Sequence, residues 1–313
     1  MDKELCTIYD CEWDLYYKGV IQDNVVCVLD NEGNPDIASE YICEYIDFDM
    51  VQFYIGYYDE MTNSKKDKSK WGYFRLSTGR VVVPPIYNHT NPFYGDRAKV
   101  QKDKKYGFVD PEGIEVVKTI WSDAAGAFYT EICWVKEGDK FGYIDKFGAV
   151  VLPPQFEDAK QFRSIGKAYE KNKYVALVKK DGKYGYIDGK SDYIFEPSFE
   201  DAKEFCSRGY APVMTHEKWS FIDGNGEFVV AFQFDDVGES GMVHTNENLN
   251  KEKASNKTEY IHFYTVRKHR QWGLMNDDFE IIMPLDVQNY VVYIGNKIYI
   301  TDGRVTSIRK VKV

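Results

Sequence analysis

Apolar and polar residues alternate along most of the chain in short runs, which is the pattern of half-buried β-strands. The run YGYID at 184–188 is typical, because Tyr184, Tyr186 and Asp188 fall on one face of an extended strand. Gly185 and Ile187 fall on the opposite face. Turn residues such as KDGK at 180–183 separate the runs. The pattern predicts an all-β chain of short strands joined by tight turns.

An aromatic residue followed by glycine recurs inside these runs, although glycine weakens strands. The first residues of the copies are, by subtraction, 35, 35, 43, 35 and 53 residues apart. A period of this size indicates a repeat architecture, with insertions at 163–173 and 239–259 in the longer intervals. The copies, including one in which serine replaces glycine, are Trp71-Gly72, Tyr106-Gly107, Phe141-Gly142, Tyr184-Gly185, Trp219-Ser220 and Trp272-Gly273.

Other features return in register with this pair. An aspartate follows three residues after the glycine position and predicts a tight hairpin turn. Next comes an apolar run with proline, such as VVLPPQF at 150–156, and we expect the proline to end the third strand. A short acidic phrase such as EDA at 157–159 closes the unit and supplies a further strand. The repeated aspartates are Asp110, Asp145, Asp188 and Asp223.

The glycine of the pair has a structural interpretation, because a catalytic glycine would not need five copies. Glycine leaves space that a Cβ would fill. We therefore expect a neighbouring ring or backbone to lie against each of these glycines where identical β modules pack side by side.

The repeats define the predicted domain organisation, which is one repeat domain of about seven units. Residues 1–70 form a degenerate N-terminal repeat, with a hairpin at 25–33 and a charged insertion at 59–70. Residues 71–285 hold the clear repeats, which start near 71, 106, 141, 184, 219 and 272. Residues 286–313 supply closing strands.

From about Lys70 to Leu285 the chain resembles the WG-repeat (KWG-repeat) proteins, a bacterial family named for the Trp-Gly pair. The likeness rests on the pair, the following aromatic-Ile-Asp, the turn glycine and the Val-Val-Pro-Pro segment. It is clearest in DKFGYIDKFGAVVLPPQFEDAKQF at 139–162. The resemblance implies a repeat fold and carries over no catalytic residue, because the family shares none.

Two architectures fit about seven antiparallel units of three to four strands each. The size of a unit is close to that of a propeller blade, and a closed β-propeller would hide the sheet edges. The alternative is an open superhelical β-solenoid, in which each unit contacts only its neighbours. We favour the closed propeller.

The composition changes this picture mainly by excluding classes of function. An aromatic content of 16% suits strands, and the net charge of −10 argues against nucleic acid as the main ligand. No signal peptide or membrane-spanning run is visible, and the six cysteines show no C-x-x-C spacing. We therefore expect a cytoplasmic protein with reduced thiols.

Residues that could carry chemistry are scattered. Each repeated aspartate has a turn role and offers one carboxylate, whereas calcium loops need several. The sequence predicts no enzyme, no metal and no cofactor. An enzyme in a central channel would need repeat-breaking polar residues to converge, and the candidates are His89, Arg97, Arg208 and His216.

Aromatic residues that break the repeat are the candidates for binding, since exposed Tyr and Trp often anchor partners. They could instead cover hairpin ends. The leading hypothesis is a non-enzymatic protein–protein interaction scaffold in the bacterial cytoplasm, such as an accessory, immunity or defence protein, whose partner has a basic surface. The alternative is a carbohydrate or cell-envelope binder. The candidates are Trp13, Tyr57, Tyr58, Tyr94, Phe128 and Tyr129.

Overall fold

The computed structural model of the chain describes residues 4–10, 15–36, 47–55, 58–59, 64–65, 70–165, 173–206, 208–244, 260–276, 278–287, 291–294, 297–301 and 306–308. These residues form antiparallel strands and one short 3-10 segment, Asp47–Asp49, so the all-β prediction is confirmed. The chain divides into two compact units, residues 1–162 and 163–313.

The first unit begins with a seven-stranded sheet that contains the first aromatic-glycine pair. Its order is β4-β3-β2-β1-β5-β8-β9, and β6 pairs with β7 separately. The N-terminal strands therefore extend this sheet, and residues 37–46 lie outside the described ranges. The strands are β1 (Glu4–Asp10), β2 (Leu15–Gln22), β3 (Val25–Leu29), β4 (Pro35–Asp36), β5 (Met50–Ile55), β6 (Tyr58–Asp59), β7 (Ser64–Lys65), β8 (Lys70–Arg75) and β9 (Val81–Tyr87).

Two four-stranded sheets follow in the first unit, ordered β10-β11-β12-β13 and β14-β15-β16-β17. The linking segment after each third strand forms a short strand, as predicted; it carries the acidic phrase in β14 and β18, whereas in β10 it consists of His89 and Thr90. The strands of these two sheets are β10 (His89–Thr90), β11 (Ala98–Lys102), β12 (Lys105–Val109), β13 (Glu115–Trp121), β14 (Asp123–Ala124), β15 (Ile132–Glu137), β16 (Lys140–Asp145) and β17 (Val150–Phe156). Strand β18 (Asp158–Ala159) follows them.

The second unit repeats this plan. Strand β19 pairs with β20 in the sheet of β20, β21 and β22, and the next sheets run β23-β24-β25-β26, β27-β28-β29-β30 and β31-β32-β33. The strands are β19 (Arg163–Ile165), β20 (Lys173–Lys180), β21 (Lys183–Asp188), β22 (Tyr193–Phe199), β23 (Asp201–Ala202), β24 (Tyr210–Thr215), β25 (Lys218–Asp223), β26 (Phe228–Phe234), β27 (Asp236–His244), β28 (Tyr260–Lys268), β29 (Gln271–Asn276), β30 (Ile281–Val287), β31 (Val291–Ile294), β32 (Lys297–Thr301) and β33 (Thr306–Ile308).

The hydrophobic core lies between consecutive sheets of each unit. Between the sheets β10–β13 and β14–β17, for example, Phe108, Val117, Cys133 and Ile144 pack together. A phenylalanine from each linking segment packs its ring against the second aromatic residue of the repeat. The ring centroids are 5.0 Å apart in Tyr73–Phe93, 4.7 Å in Phe108–Phe128, 5.0 Å in Tyr143–Phe162 and 5.0 Å in Tyr186–Phe205.

The glycine of the aromatic-glycine pair faces its own sheet, which corrects the expectation that it marks a junction between modules. Tyr106 pairs with Trp121 and Phe108 with Val117, so one residue of β12 opposes three of β13. The extra residues form a bulge that arches over the glycine. A Cβ added to Gly107 would lie 2.3 Å from the carbonyl oxygen of Val117. A Cβ added to Gly185 would lie 2.6 Å from the carbonyl oxygen of Phe195.

The prolines lie within this bulge and not at the end of the third strand, which corrects a second expectation. Pro84 and Pro85 sit in the middle of β9, and Pro153 and Pro154 in the middle of β17. Proline is tolerated at a bulge because the residues there give no hydrogen bond to the neighbouring strand. The strand continues beyond them, as the pairing of Trp71 with Tyr87 shows.

A different glycine, at the end of the D-x-x-G turn, meets the neighbouring sheet. In the turn at 110–114, the Asp110 carboxylate accepts bonds from the backbone N–H groups of Glu112 (3.1 Å) and Ile114 (2.8 Å), which confirms the predicted turn. Gly113 has a φ of +84°, where a side chain is disfavoured. A Cβ there would lie 2.7 Å from the carbonyl oxygen of Val82 in β9.

The residue before each short first strand caps the first hairpin turn of the following sheet. Asn88 accepts a bond from the backbone N–H of Asp103 at 2.9 Å, where Asp103 and Lys104 both have positive φ as in a type I′ turn. In the second unit, Glu200 accepts the N–H of Glu217 at 3.2 Å. Consecutive sheets are thus tied by a side chain as well as by core contacts.

Candidate functional site

The polar residues considered for an enzymatic site have separate surroundings in the described structure. In the first unit, His89 packs its ring against the edge of Trp71, and Arg97 is buried among partners described below. In the second unit, His216 is exposed in the β24–β25 turn with a φ of +49°, and Arg208 lies in the segment before β24. Within the described residues, no cluster of three or more His, Cys, Asp or Glu side chains could hold a metal.

The buried thiols do not form reactive sites. Burial, reinforced by the charge of Glu4, raises the pKa of Cys6 to about 12. Burial also raises the pKa of Cys133 well above its usual range. Both thiols are therefore protonated at neutral pH, and a protonated thiol is a poor nucleophile and metal ligand.

Two of the predicted binding residues, Tyr94 and Tyr129, meet at the surface of the first unit. Their ring centroids are 4.7 Å apart and their planes cross at 62°, in an edge-to-face contact. Both rings are exposed, with 50% of Tyr94 and 58% of Tyr129 accessible to solvent. Each follows a buried phenylalanine of the linking segment, so the repeat places the two tyrosines at equivalent positions in neighbouring sheets.

The other predicted binding residues do not join this pair. Phe128 is buried against Phe108, so its interpretation as an exposed, repeat-breaking ring is corrected: it is the core phenylalanine of its repeat. Trp13 and Tyr57 lie outside the described residues, and Tyr58 lies in the two-residue strand β6.

A third ring, that of Phe147, is 68% exposed and is connected to Tyr94 through Arg97, which contacts both residues. It occupies a variable position of the D-x-x-G turn between β16 and β17, which gave no signal in the sequence. The turn is held by Asp145, whose carboxylate accepts the N–H groups of Phe147 and Ala149, both at 2.9 Å. We call Tyr94, Tyr129 and Phe147 the aromatic patch.

Arg97 is buried and contacts two residues of the aromatic patch, Tyr94 and Phe147. Its backbone carbonyl accepts the N–H of Tyr94 at 3.0 Å, and its Nε donates to the carbonyl oxygen of Lys146 at 2.9 Å. Its guanidinium lies 5.8 Å from the centroid of the Phe147 ring and forms a 3.0 Å ion pair with Asp96. Arg97 thus has a structural role, since only 6% of it is exposed.

Among the charged side chains that border the aromatic patch, the acidic ones are more exposed than the basic ones. Asp96 and Glu131 are exposed, whereas Arg97 is buried and Lys146 is about one-quarter exposed. The Lys146 ammonium lies 2.8 Å from Glu131, and this hydrogen bond raises the pKa of Lys146. The exposed rings are therefore flanked by carboxylates.

Positions equivalent to the aromatic patch are not aromatic in the second unit. Arg163 and Cys206 follow the core phenylalanines where the first unit has tyrosines, and Arg163 forms a 3.0 Å ion pair with Glu204. Lys190 and Asn225 occupy the turn position of Phe147. The aromatic patch is therefore not a general property of the repeat.

Comparisons with solved structures give only distant similarity. A eukaryotic initiation factor is 9% identical, with a TM-score of 0.41 over 96% of this chain and 79% of that chain. The Dos1 propeller is 13% identical, with a TM-score of 0.27 over 91% of this chain and 72% of that chain. None of the curated proteins matches the chain. The described residues contain no helix with the length and hydrophobicity needed to cross a membrane.

The family comparison agrees with the repeats seen in the sheets. The family described as WG containing repeat matches residues 71–106, 141–184, 184–219 and 219–240. These matches include the copy in which Ser220 replaces glycine. Residues 107–140 are outside the matches, although β13 forms the same bulge against β12. The chain therefore contains four β-repeats of the WG family between residues 71 and 240.

Proposed function

We propose that the protein is a non-enzymatic scaffold of the bacterial cytoplasm that binds another protein through the aromatic patch. The observation that carries this proposal is the contact between the exposed rings of Tyr94 and Tyr129, with the exposed ring of Phe147 held by the same Arg97 that bonds the backbone of Tyr94. An accessory, immunity or defence role belongs to this class of function.

The chemistry of the patch fits a protein contact. Tyrosine and phenylalanine offer a large apolar area with few rotatable bonds, so their ordering on binding costs little entropy. Arg97 further restrains Phe147 and the backbone of Tyr94 before any partner arrives. Rigid anchors of this kind supply most of the binding energy in many interfaces.

The charge around the patch favours a partner with a basic surface. Asp96 and Glu131 expose their carboxylates beside the rings, and the whole chain has a net charge of −10. Opposite charge on the partner would speed association and exclude acidic competitors. We expect the association rate to fall as salt is added.

Site-specific photocrosslinking in the native host tests the proposal. A benzoylphenylalanine at Tyr129 should capture one protein in stoichiometric amount, whereas the same group at the exposed Ile281 of the second unit should not. With the captured protein purified, Tyr94→Ala, Tyr129→Ala and Phe147→Ala should each weaken binding by about 10- to 30-fold. Arg163→Ala, at the equivalent exposed position, is the matched control.

Failure to capture a protein at Tyr129, or unchanged binding in all three alanine variants, would contradict the proposal. A glycan array with the same variants examines carbohydrate or cell-envelope binding. Glycan binding that Tyr129→Ala abolishes would replace the protein partner by a carbohydrate, because a single exposed ring can stack on a sugar.

We also propose that the four-stranded sheets are blades of a closed propeller rather than turns of an open β-solenoid. The strand number and size of each sheet support this choice, as does the short first strand that each linking segment supplies. Small-angle X-ray scattering separates the two, since an open superhelix gives a larger radius of gyration than a compact ring of the same mass.

A further inference from the structure

Two linking segments of the first unit share a short sequence pattern that the next two segments along the chain lack. In both, the core phenylalanine is followed by a tyrosine, one further residue and a carboxylic acid. The pattern is Phe-Tyr-Gly-Asp at 93–96 and Phe-Tyr-Thr-Glu at 128–131. The later segments have Phe-Arg-Ser-Ile at 162–165 and Phe-Cys-Ser-Arg at 205–208. An exposed tyrosine and a carboxylate therefore recur together in two neighbouring sheets.

The rings of Tyr94 and Tyr129 form an open corner at the surface. Their centroids are 4.7 Å apart, their planes cross at 62°, and each ring is at least half exposed. In an edge-to-face contact, the ring that presents its edge keeps both of its faces clear of the other ring. The face of an aromatic ring is electron-rich and attracts cations. A flat cation can therefore stack on one tyrosine while it touches the other.

The basic side chains of the first unit do not occupy these two rings. Arg97 and Lys146 are close to a different ring, that of Phe147, at 5.8 Å and 5.7 Å from its centroid. Within the part of the chain that the structure describes, no cation of this protein makes such a contact with Tyr94 or Tyr129. These two rings are therefore available to a cation of another molecule.

The two carboxylates of the pattern each keep one oxygen for a partner. The Oδ2 atom of Asp96 lies 3.0 Å from Arg97, and the Oε2 atom of Glu131 lies 2.8 Å from Lys146. Among the described residues, neither Asp96 Oδ1 nor Glu131 Oε1 forms a hydrogen bond or an ion pair. The two acids are also much more exposed than the two bases. Each tyrosine is thus accompanied by an acceptor that a cationic donor can reach from solvent.

We infer, on the basis of the proposed function, that the aromatic patch recognises an arginine side chain of its protein partner. The guanidinium stacks on Tyr94 or Tyr129 and donates N–H bonds to the open oxygen of Asp96 or Glu131. Arginine fits this corner because its planar group can stack through its face while its N–H groups donate within the plane. Lysine ends in a compact, strongly hydrated ammonium, which cannot stack in this way.

Fluorine NMR on the full chain, with 3-fluorotyrosine placed at Tyr129 alone, tests the inference. Titration with N-acetyl-argininamide at constant ionic strength should give a saturable shift with a dissociation constant of about 10 mM, as expected for one stacked ring and exposed ion pairs. N-acetyl-citrullinamide has nearly the same shape without the charge, and it should bind at least about tenfold more weakly. The lysine analogue should also bind more weakly than the arginine compound.

Glu131→Gln removes the charge of the more exposed carboxylate and should weaken argininamide binding at least about threefold. Glu227→Gln, at an exposed position of the second unit, is the matched control and should leave binding unchanged. A missing shift with argininamide, or equal binding of the citrulline or lysine compound, would overturn the inference. Capture of a protein at Tyr129 without argininamide binding would contradict the arginine alone and leave the proposed function standing.

Discussion

In the first unit, the residues that break the repeat lie at the surface, where Tyr94, Tyr129 and Phe147 cluster at the turn end of two sheets. In the second unit they lie inside a sheet, where Ser220 replaces the glycine and Ala231 replaces a proline. The two departures have different structural consequences. The first changes what the surface offers to a partner and leaves the glycine of each bulge in place.

The internal departure requires a compensating interaction. In the first unit, the carbonyl oxygen of Val117 leaves no room for a Cβ at Gly107. The carbonyl oxygen of Val230 has the equivalent position beside Ser220. Ser220 is fully buried, and its hydroxyl donates a hydrogen bond to this carbonyl oxygen. The repeat therefore accepts a side chain at this position when the side chain can bond to the oxygen that it meets.

The largest effect is expected for Gly107→Ala in the first unit. The added methyl group would overlap the backbone of β13, because its nearest contact is a carbonyl oxygen at 2.3 Å. We expect the free energy of unfolding to fall by about 3 kcal/mol, measured by urea denaturation and circular dichroism. Gly126→Ala is the control, since a Cβ there meets no atom within 4 Å. Equal effects of the two substitutions would contradict the bulge as the cause.

A smaller effect is expected when matched tyrosines lose their hydroxyl groups in the two units. The Tyr143 hydroxyl donates to the carbonyl oxygen of Lys160 at 2.8 Å, and that of Tyr186 to Lys203 at 2.7 Å. Tyr143→Phe and Tyr186→Phe should each cost about 1–2 kcal/mol, because a linking-segment carbonyl loses a partner. Thermal or urea unfolding measures both. An unchanged stability in one unit alone would show that its linking segment is held differently.

Ser220→Ala tests the compensation in the second unit directly. Removal of the hydroxyl leaves the Val230 carbonyl oxygen beside a methyl group, and we expect a loss of about 1 kcal/mol. Ser164→Ala, at an exposed position of β19, should change stability by less than about 0.5 kcal/mol. If Ser220→Ala is as stable as the wild type, the hydroxyl does not compensate for the missing glycine.

The smallest effect is the pH dependence contributed by the second unit. A hydrogen bond from Lys218 lowers the pKa of Asp235, and the backbone N–H of Glu217 lowers the pKa of Glu200. A lowered pKa in the folded state stabilises the protein above the pKa of the unfolded chain, and this contribution is lost as the pH falls through the folded value. Asp235→Asn should therefore flatten the fall in stability between about pH 5 and about pH 3. The same slope in both proteins would contradict this assignment.

Most of the secondary structure could be predicted because strand alternation and turn chemistry are local. Asp110 and Gly113, for instance, specify their turn through contacts within four residues. The bulge could not be predicted, because the alternation of apolar and polar residues does not show where three residues of one strand lie opposite one residue of its neighbour, as in β13 and β12. This is why the glycine of the pair was assigned to a junction between modules, a place that the turn glycine Gly113 occupies.

The candidate site could be predicted only in part. Tyr94 and Tyr129 stand out in the sequence, but their contact depends on the stacking of neighbouring sheets. Arg97 was considered for catalysis, and its bond to Lys146, 49 residues away, is invisible to local reasoning. Phe147 lies in a turn whose sequence requires only the aspartate and the glycine. Phe128 resembles a repeat-breaking ring in the sequence, because the core phenylalanines of the linking segments lie at uneven distances from the aromatic-glycine pairs that follow them.

The capping of one sheet's hairpin by a residue of the preceding linker has a consequence for dissecting the chain. A fragment that begins at the aromatic-glycine pair of Tyr106 would lack both the turn at Asp103 and Asn88, which caps that turn. It would also lack strands β10 and β11, which complete the sheet. The module that can be excised whole therefore starts in the linker, about half a sequence period before the dipeptide that gives the family its name.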